Sequence, residues 1–201
     1  MKKIILASAS PGRKLLLEQI GLKFKIVPSD FKEDYSQKLK PKALAKKLSF
    51  GKAKTVAEKH KGAIIIGADL FVVFKDKLMG KPKDKKDAYR MLNELNGKCH
   101  SVITGITVMD SGTGKYLSKA VETKLYLKKL TPAEIKAYVA TGEPIGKGGG
   151  YAIQGLGAVL IKKVVGDYTN IIGLPISELT EMLKEFGVKV LKESVSTRPT
   201  I

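Results

Sequence analysis

The chain of 201 residues is 43% hydrophobic, carries a formal net charge of +18 and contains one cysteine, Cys99. This length and apolar content predict a globular protein rather than a disordered one, and no run approaches the roughly 18 apolar residues of a membrane span. The N-terminal apolar run is too short for a secretory signal and a single cysteine cannot form an internal disulfide, so we expect a cytoplasmic protein without a membrane partner.

The positive charge can serve either to bind phosphates, on a nucleic acid or a smaller ligand, or to solvate the surface. The 37 lysine and arginine residues are spread along the whole length, and aromatic residues make up only 6% of the chain. A nucleic-acid-binding surface would group basic and aromatic side chains, so nucleic acid is the less favoured partner. We attribute the charge mainly to solvation of exposed faces and secondly to a phosphate-bearing ligand.

The first predicted elements form a candidate anion site. Residues 3–7 predict a strand, and Ser10 and Pro11 are typical of the N-cap and first residue of a helix, which Gly21 ends. Arg13 falls in the first turn of this helix, where free backbone N–H groups and the helix dipole attract the same anion as its guanidinium. An arginine is unfavourable with the dipole at this end, which favours a functional role.

A polar loop follows the second predicted strand, at 24–27. The loop carries three acidic residues, Asp30, Glu33 and Asp34. Acidic side chains in loops are usually only solvated, so the loop alone indicates no site. A helix is then predicted from Pro41 to about Glu58, with Lys52 in its second half.

An apolar stretch with one carboxylate occupies the middle of the chain. Apolar runs at 63–66 and 70–74 flank Asp69, and a turn leads on to Gly80-Lys81-Pro82. Burying an unpaired carboxylate is costly, so Asp69 must be paired, bind a metal or be exposed where a strand ends. Lys81, which the following proline holds extended, is a candidate for the opposite charge. A purely structural strand end with an Asp at its turn is the alternative.

The C-terminal half alternates predicted helices and strands. Helices are expected at three places, from Asp84 to Asn96, from Thr131 to Ala140 and across Leu179 to Phe186. Strands are expected over 102–109, 121–127 and 158–165, the first two joined by a hairpin turn. The glycine-rich segment 146–150 is either a flexible linker or a place where the backbone approaches a ligand closely.

Several common catalytic signatures are missing from the sequence. It contains no GxxxxGK[ST] loop, no HExxH, no CxxC pair and no GxSxG. His60 and His100 have no partner at metal-ligand spacing. The sequence therefore argues against P-loop, zinc and catalytic-triad chemistry.

Several stretches resemble, in order, the motifs of the Maf family of nucleoside triphosphate pyrophosphatases. These stretches are Leu6–Pro11 with Arg13 and Lys14, Gly67–Asp69, Gly80–Pro82, Tyr138–Pro144, Gly149–Gly157, Gly166–Tyr168 and Gly173–Pro175. The resemblance runs from about residue 3 to residue 187 with few gaps, so it is far more specific than any single motif.

The resemblance implies an α/β fold with two lobes around an elongated mixed β-sheet, flanking helices and a central cleft, of the Maf and ITPase-like kind. It implies one domain over residues 1–190 and a homodimer, and we expect the remaining residues, 191–201, to form a mobile C-terminal tail. The implied reaction is hydrolysis of the α–β phosphate bond of dTTP, UTP or modified pyrimidine nucleotides to a monophosphate and pyrophosphate. The implied cofactor is a divalent metal cation, Mg²⁺, Mn²⁺ or Co²⁺.

The resemblance also implies roles for particular residues. The catalytic positions are Glu33, Asp69 and Lys81, of which Glu33 and Asp69 would also hold the metal. The substrate-binding positions are Ser8, Ser10, Arg13, Lys52 and Gln154. Whether Asp69 acts as general base or metal ligand stays open. A Gln at position 154 resembles the branch acting on dTTP and UTP, because the branch acting on 7-methyl-GTP usually carries Glu there.

Three positions depart from the family pattern. Gly12 stands where the family usually has the first of two arginines, Leu70 replaces a threonine, and Gly146 replaces an aspartate. A missing guanidinium removes one charge-assisted contact of about 1.5–3 kcal/mol, for which Lys14 or another nearby lysine is the expected substitute. Gly12 therefore motivates an alternative function, a nucleotide-binding protein that has lost turnover.

Overall fold

The computed structural model describes residues 2–191, which form one seven-stranded mixed sheet and six α-helices. The strands are β1 (Lys3–Leu6), β2 (Lys25–Ile26), β3 (Ala63–Phe74), β4 (Lys77–Met79), β5 (Cys99–Asp110), β6 (Tyr116–Leu127) and β7 (Ile161–Val165). The helices are α1 (Pro11–Gln19), α2 (Pro41–Lys59), α3 (Lys85–Leu95), α4 (Pro132–Ala140), α5 (Tyr168–Ile172) and α6 (Ile176–Lys184). The expected tail lies outside the described residues except for Leu191.

The sheet has the strand order β2-β1-β3-β5-β6-β7, and β4 pairs with β3 outside this path. β1 is parallel to both β2 and β3, whereas β3, β5, β6 and β7 pair antiparallel. A short turn after Asp110 joins the twelve-residue strands β5 and β6, as the hairpin prediction requires. This confirms the predicted mixed α/β architecture.

One edge of β3 is interrupted, and the interruption positions the site. On that edge β1 pairs with 63–66 and β4 pairs with 72–74, while β5 pairs along the opposite edge from Ile64 to Val73. Within the described part of the chain, 67–71 therefore has no strand partner on the first edge. Asp69 lies at the middle of this gap. The strand-end alternative for Asp69 is wrong, because β1 ends there while the β-branched run of β3 continues.

Helix α2 packs closely across β3 and β5 because glycines face it. A Cβ at Gly67 would lie 2.4 Å from the Ser49 carbonyl oxygen, and one at Gly105 would lie 2.0 Å from the Ala45 carbonyl oxygen. Only glycine allows the helix backbone to approach the strands this closely. This approach places Lys52 of α2 beside Asp69.

Two large hydrophobic clusters build two lobes that share β3 and β5. The first joins the start of β3 to α1 and α6 through Ile64, Ile66, Leu17 and Leu183. The second joins the end of β3 to α3 and α4 through Val72, Leu92 and Ile135. The lobes thus hold the two sides of the β3 gap apart.

Both predicted helix caps are present, since Asp84 accepts the Asp87 N–H and Thr131 forms a capping box with Glu134.

Three elements near the C-terminus differ from the predictions. Residues 156–160 form a 3₁₀ turn, so the predicted strand 158–165 begins only at Ile161. The last helix, α6, begins at Ile176 and ends at Lys184, before the predicted Phe186. Helix α5 was not predicted, although Asp167 caps it by accepting the Thr169 N–H. No helix between residues 2 and 191 is long and apolar enough to span a membrane.

Candidate active site

A cleft of about 990 Å³ opens beside the gap in β3 and brings the predicted site residues together. It is lined by all eight of them, Ser8, Ser10, Arg13, Glu33, Lys52, Asp69, Lys81 and Gln154. They come from the β1–α1 turn, helix α1, the loop after β2, helix α2, strand β3 and two later loops. Residues separated by up to 146 positions in the chain thus face one cavity.

The centre of the cleft is a lysine shared by two carboxylates. Lys52 Nζ lies 2.5 Å from Asp69 Oδ1 and also pairs with Glu33. Burial raises the pKa of Asp69, which is 3% exposed, and Lys52 opposes this rise. Partial burial would also raise the pKa of Glu33, but hydrogen bonds from Lys52 and Tyr35 outweigh it and lower that pKa. The partner that Asp69 requires is therefore Lys52, not the expected Lys81.

Tyr35 lies over this carboxylate pair and was not identified from the sequence. Its hydroxyl donates to Glu33 Oε2 at 2.7 Å and lies 3.3 Å from both carboxylate oxygens of Asp69. Its ring packs edge-on against Phe71 with 6.3 Å between centroids. Burial and the neighbouring negative charges raise the pKa of Tyr35, so the hydroxyl stays protonated and able to donate. A lone tyrosine in a polar loop carries no sequence signal for such a role.

Arg13 is held at one end of the cleft by two hydrogen bonds. Its Nε donates to the Gly173 carbonyl at 2.9 Å, and its Nη1 donates to Ser8 Oγ at 2.9 Å. Burial lowers the pKa of Arg13, and the charges of Asp69 and Glu33 oppose that change. Arginine remains charged in proteins, so a buried cation faces the cavity.

The turn before α1 keeps donors open towards the cleft. Ser10 occupies the N-cap position as predicted, but its side chain makes no capping hydrogen bond. Instead the Ser10 N–H donates to Ser8 Oγ at 3.2 Å. A helix N-terminus without a side-chain cap retains free N–H groups and a positive dipole end. The predicted anion site therefore has its structural basis here.

Lys81 and the glycine-rich segment form the opposite rim. Lys81 is exposed, and its charge contributes to the lowered pKa of Glu33. The neighbouring Gly80 carbonyl accepts the Gly149 N–H at 3.1 Å. Gly148 lines the cleft and Gly149 is placed against β3. This segment approaches the cavity, so the linker alternative for 146–150 is wrong.

The environment of Gly12 leaves little room for a larger residue. A Cβ there would lie 3.0 Å from Ile172 Cγ2 and 3.5 Å from Gln154 Oε1. The expected substitute Lys14 pairs with Glu18 at 3.6 Å and is not among the residues that line the cleft. Lys147 does line it. A cation beyond Arg13, Lys52 and Lys81 is therefore supplied from the opposite lobe.

The carboxylate pair has the donor chemistry of a shared metal site. Between residues 2 and 191 no group of three or more His, Cys, Asp or Glu side chains is arranged to hold a metal ion. Glu33 and Asp69, however, meet at Lys52. Mg²⁺ is commonly bound by one or two carboxylates together with substrate phosphates and water. The pair therefore suits a hard divalent cation whose remaining ligands are phosphate oxygens and water.

Comparison with known proteins identifies the family. The family model described as Maf-like protein matches residues 3–186. The chain belongs to the Maf family. Six of the seven Maf-like stretches contribute residues that line the cleft, and Gly166–Tyr168 does not.

Curated relatives of this Maf protein match over nearly their full length. A protein of Thermoanaerobacter sp. (strain X514) named dTTP/UTP pyrophosphatase is 49% identical over 94% of this chain and 100% of its own. A protein of the same name from Ruminiclostridium cellulolyticum is 46% identical over 96% and 100%. Among solved structures, the Staphylococcus aureus Ham1 protein is similar with a TM-score of 0.40 at 14% identity, over 63% of this chain and 72% of that chain.

Proposed function

We propose that this Maf protein hydrolyses the α–β phosphate bond of dTTP, UTP or a modified pyrimidine nucleotide, releasing a nucleoside monophosphate and pyrophosphate. The observation that carries the proposal is the convergence of two carboxylates and three basic residues on one cleft beside the gap in β3. Relatives at 46–49% identity named dTTP/UTP pyrophosphatase support the substrate class.

The basic side chains serve the triphosphate. Arg13 offers a guanidinium fixed by Gly173 and Ser8, and guanidinium groups match phosphate oxygens in bidentate geometry. Lys52 lies between the carboxylates, and Lys81 stands at the rim. Phosphoryl chemistry of this kind depends mostly on positioning and on neutralising charge, which a fixed cationic wall supplies.

The carboxylates serve the attacking water. The water oxygen bonds to the α-phosphorus as the bond from phosphorus to the bridging oxygen breaks, pyrophosphate leaves with that oxygen, and a water proton passes to a carboxylate. Asp69 suits the proton-accepting role because its pKa is raised by burial, which makes it the stronger base of the pair. Glu33, with its lowered pKa, stays ionised.

The proposal also covers the metal, the nucleobase contact, the cellular location and the oligomeric state. Glu33 and Asp69 would hold Mg²⁺, Mn²⁺ or Co²⁺, which would polarise the α-phosphate and lower the pKa of the attacking water. Gln154 carries both a donor and an acceptor, as pairing with a pyrimidine edge requires. We place the protein in the cytoplasm, as one domain over residues 1–190 that forms a homodimer.

Product analysis tests the reaction. Incubation with UTP and Mg²⁺ is expected to yield UMP and pyrophosphate, detected by chromatography and an enzyme-coupled pyrophosphate assay. Release of UDP and orthophosphate would place cleavage at the β–γ bond and contradict the proposed reaction. Nucleotide binding without any product would instead support the non-turnover alternative that Gly12 motivates.

A further inference from the structure

The carboxylate of Glu143, in the loop after α4, holds a turn on the cleft wall in place. Its Oε1 accepts the Leu156 N–H at 2.8 Å, and its Oε2 accepts the Gly157 N–H at 2.7 Å. The same Oε2 accepts the Tyr138 hydroxyl at 2.7 Å. Hydrogen bonds to an ionised acceptor are roughly twice as strong as neutral ones. One side chain thus satisfies two backbone donors and one phenol.

Tyr138 extends this fixation to the other end of the turn. Its hydroxyl oxygen accepts the Ala152 N–H at 3.1 Å while the hydroxyl donates to Glu143. Tyr138 is buried in the lobe that contains α3 and α4. The pair therefore fixes the turn 152–157 at both ends against a rigid core.

Glycines make this close approach possible. A Cβ at Gly155 would lie 1.9 Å from Glu143 Oε1, and one at Gly157 would lie 2.6 Å from the Ala152 carbonyl oxygen. Neither place can hold a larger residue without displacing the carboxylate or the turn. Gly155 thus leaves room for the carboxylate of Glu143, and Gly157 leaves room for Ala152 and the Tyr138 hydroxyl.

Gln154 is the one polar side chain of this turn that faces the cleft. It is exposed and lines the cavity, three residues before the Gly157 anchor and two after the Ala152 anchor. Its Oε1 lies 3.5 Å from where a Cβ of Gly12 would be, so it reaches towards the start of α1 in the other lobe. The backbone that carries this amide is therefore anchored on each side of it.

We propose that Glu143 is a positioning residue: by anchoring 152–157 it fixes the amide of Gln154 and so sets the preference for uracil and thymine over cytosine. This rests on the proposed function for the part that concerns base preference. Uracil presents an O4 acceptor where cytosine presents an N4 donor. A side-chain amide distinguishes the two only if its donor and acceptor ends are held in place.

The variant that tests the anchor is Glu143→Gln, which keeps size and removes charge. An amide cannot accept both the Gly157 N–H and the Leu156 N–H with the geometry of the carboxylate, because one of its ends is itself a donor. The matched control is Glu134→Gln on α4. Glu134 also accepts a backbone N–H, that of Thr131 at 2.7 Å, but it does not line the cleft.

The first readout is amide hydrogen exchange of Leu156 and Gly157 measured by NMR, which requires no activity. Exchange of these two amides is expected to be about tenfold or more faster in Glu143→Gln than in the native chain or in Glu134→Gln. Unchanged exchange would overturn the anchoring role directly.

The second readout is the ratio of kcat/KM for UTP to that for CTP. Glu143→Gln is expected to lower this ratio about tenfold or more, and Gln154→Ala is expected to lower it to a similar extent. The double variant should be no less selective than either single one, because the two changes act on the same interaction. Faster exchange with an unchanged ratio, or full additivity in the double variant, would overturn the link to Gln154.

The two proposals fail in distinguishable ways. A native chain that neither turns over nor discriminates between UTP and CTP in binding contradicts the proposed function and the specificity part of this inference. The exchange measurement then still decides whether Glu143 holds the turn. An active and selective native chain whose selectivity survives Glu143→Gln contradicts only the inference.

Discussion

At the scale of single residues, the site depends on how charge is shared between Asp69, Glu33 and Lys52. One ammonium contacts both carboxylates, yet their pKa values move in opposite directions because Asp69 is more deeply buried. Two carboxylates with diverging pKa values are typical of sites that assign them different roles. Tyr35 adds a hydroxyl that orients Glu33.

Removal of the Tyr35 hydroxyl tests that orientation. In Tyr35→Phe, Glu33 loses a 2.7 Å hydrogen bond, and we expect kcat/KM for UTP to fall about 5- to 10-fold, in line with about 1 kcal/mol for one hydrogen bond. The measurement is steady-state pyrophosphate release. The control Tyr116→Phe removes the hydroxyl of an exposed tyrosine that packs on Phe50 outside the cleft. Unchanged or increased activity in Tyr35→Phe would show that the hydroxyl only covers the site.

At the scale of elements, the approach of α2 to the sheet determines where Lys52 is placed. The glycines that face the helix, Gly67 and Gly105, allow a contact that any Cβ would prevent. Gly105 contacts α2, which carries Lys52, and it also pairs with Asp69 across β3 and β5. A change at Gly105 therefore affects the site.

Gly105→Ala is expected to destabilise the fold by about 1–3 kcal/mol or more, because its methyl group would lie 2.0 Å from the Ala45 carbonyl oxygen. Urea unfolding measures this change. Gly80→Ala is the matched control, since nothing lies within 4 Å of its added methyl group. Equal stability of the two variants would refute the packing argument.

The elements that were predictable from sequence are those whose signals are local. The caps at Asp84 and Thr131 and the hairpin after Asp110 follow from residue types at fixed spacing, and all three are present. Helix α5 has only five residues and no apolar periodicity to detect. The pairing of Asp69 with Lys52 rather than Lys81 depends on how α2 crosses the sheet, which no local pattern encodes. The contacts of Tyr35 with Asp69 and of Glu143 with Gly157 are non-local in the same way.

At the scale of the whole molecule, a buried histidine couples stability to pH. His100 Nε2 is joined to Tyr151 Oη by a hydrogen bond of 2.6 Å, and its Nδ1 is buried without a partner within the described structure. Burial lowers the pKa of His100 to about 4, against about 6.5 in an unfolded chain. The unfolded state therefore binds the extra proton first as pH falls.

The contribution of neutral His100 to the free energy of unfolding is fully present above about pH 6.5. It is lost as the pH falls towards about 4, a difference of roughly 3 kcal/mol. In His100→Gln, which cannot titrate, the loss of stability between pH 7 and pH 4.5 should be correspondingly smaller. Urea unfolding at three pH values measures both profiles. An equal loss of stability between pH 7 and pH 4.5 in the two proteins would show that His100 does not cause this pH dependence.

Pyrophosphate release from dTTP, UTP, CTP, ATP and GTP with Mg²⁺ or Mn²⁺, compared between the native chain and Asp69→Asn, tests the reaction and the site together. We expect turnover on dTTP and UTP that falls at least about 100-fold in the variant. Its melting temperature should stay within a few degrees, because asparagine keeps the size of a buried side chain and removes a charge that is costly to bury. Full activity of Asp69→Asn would contradict the site, and silence of the native chain on every nucleotide would contradict the reaction.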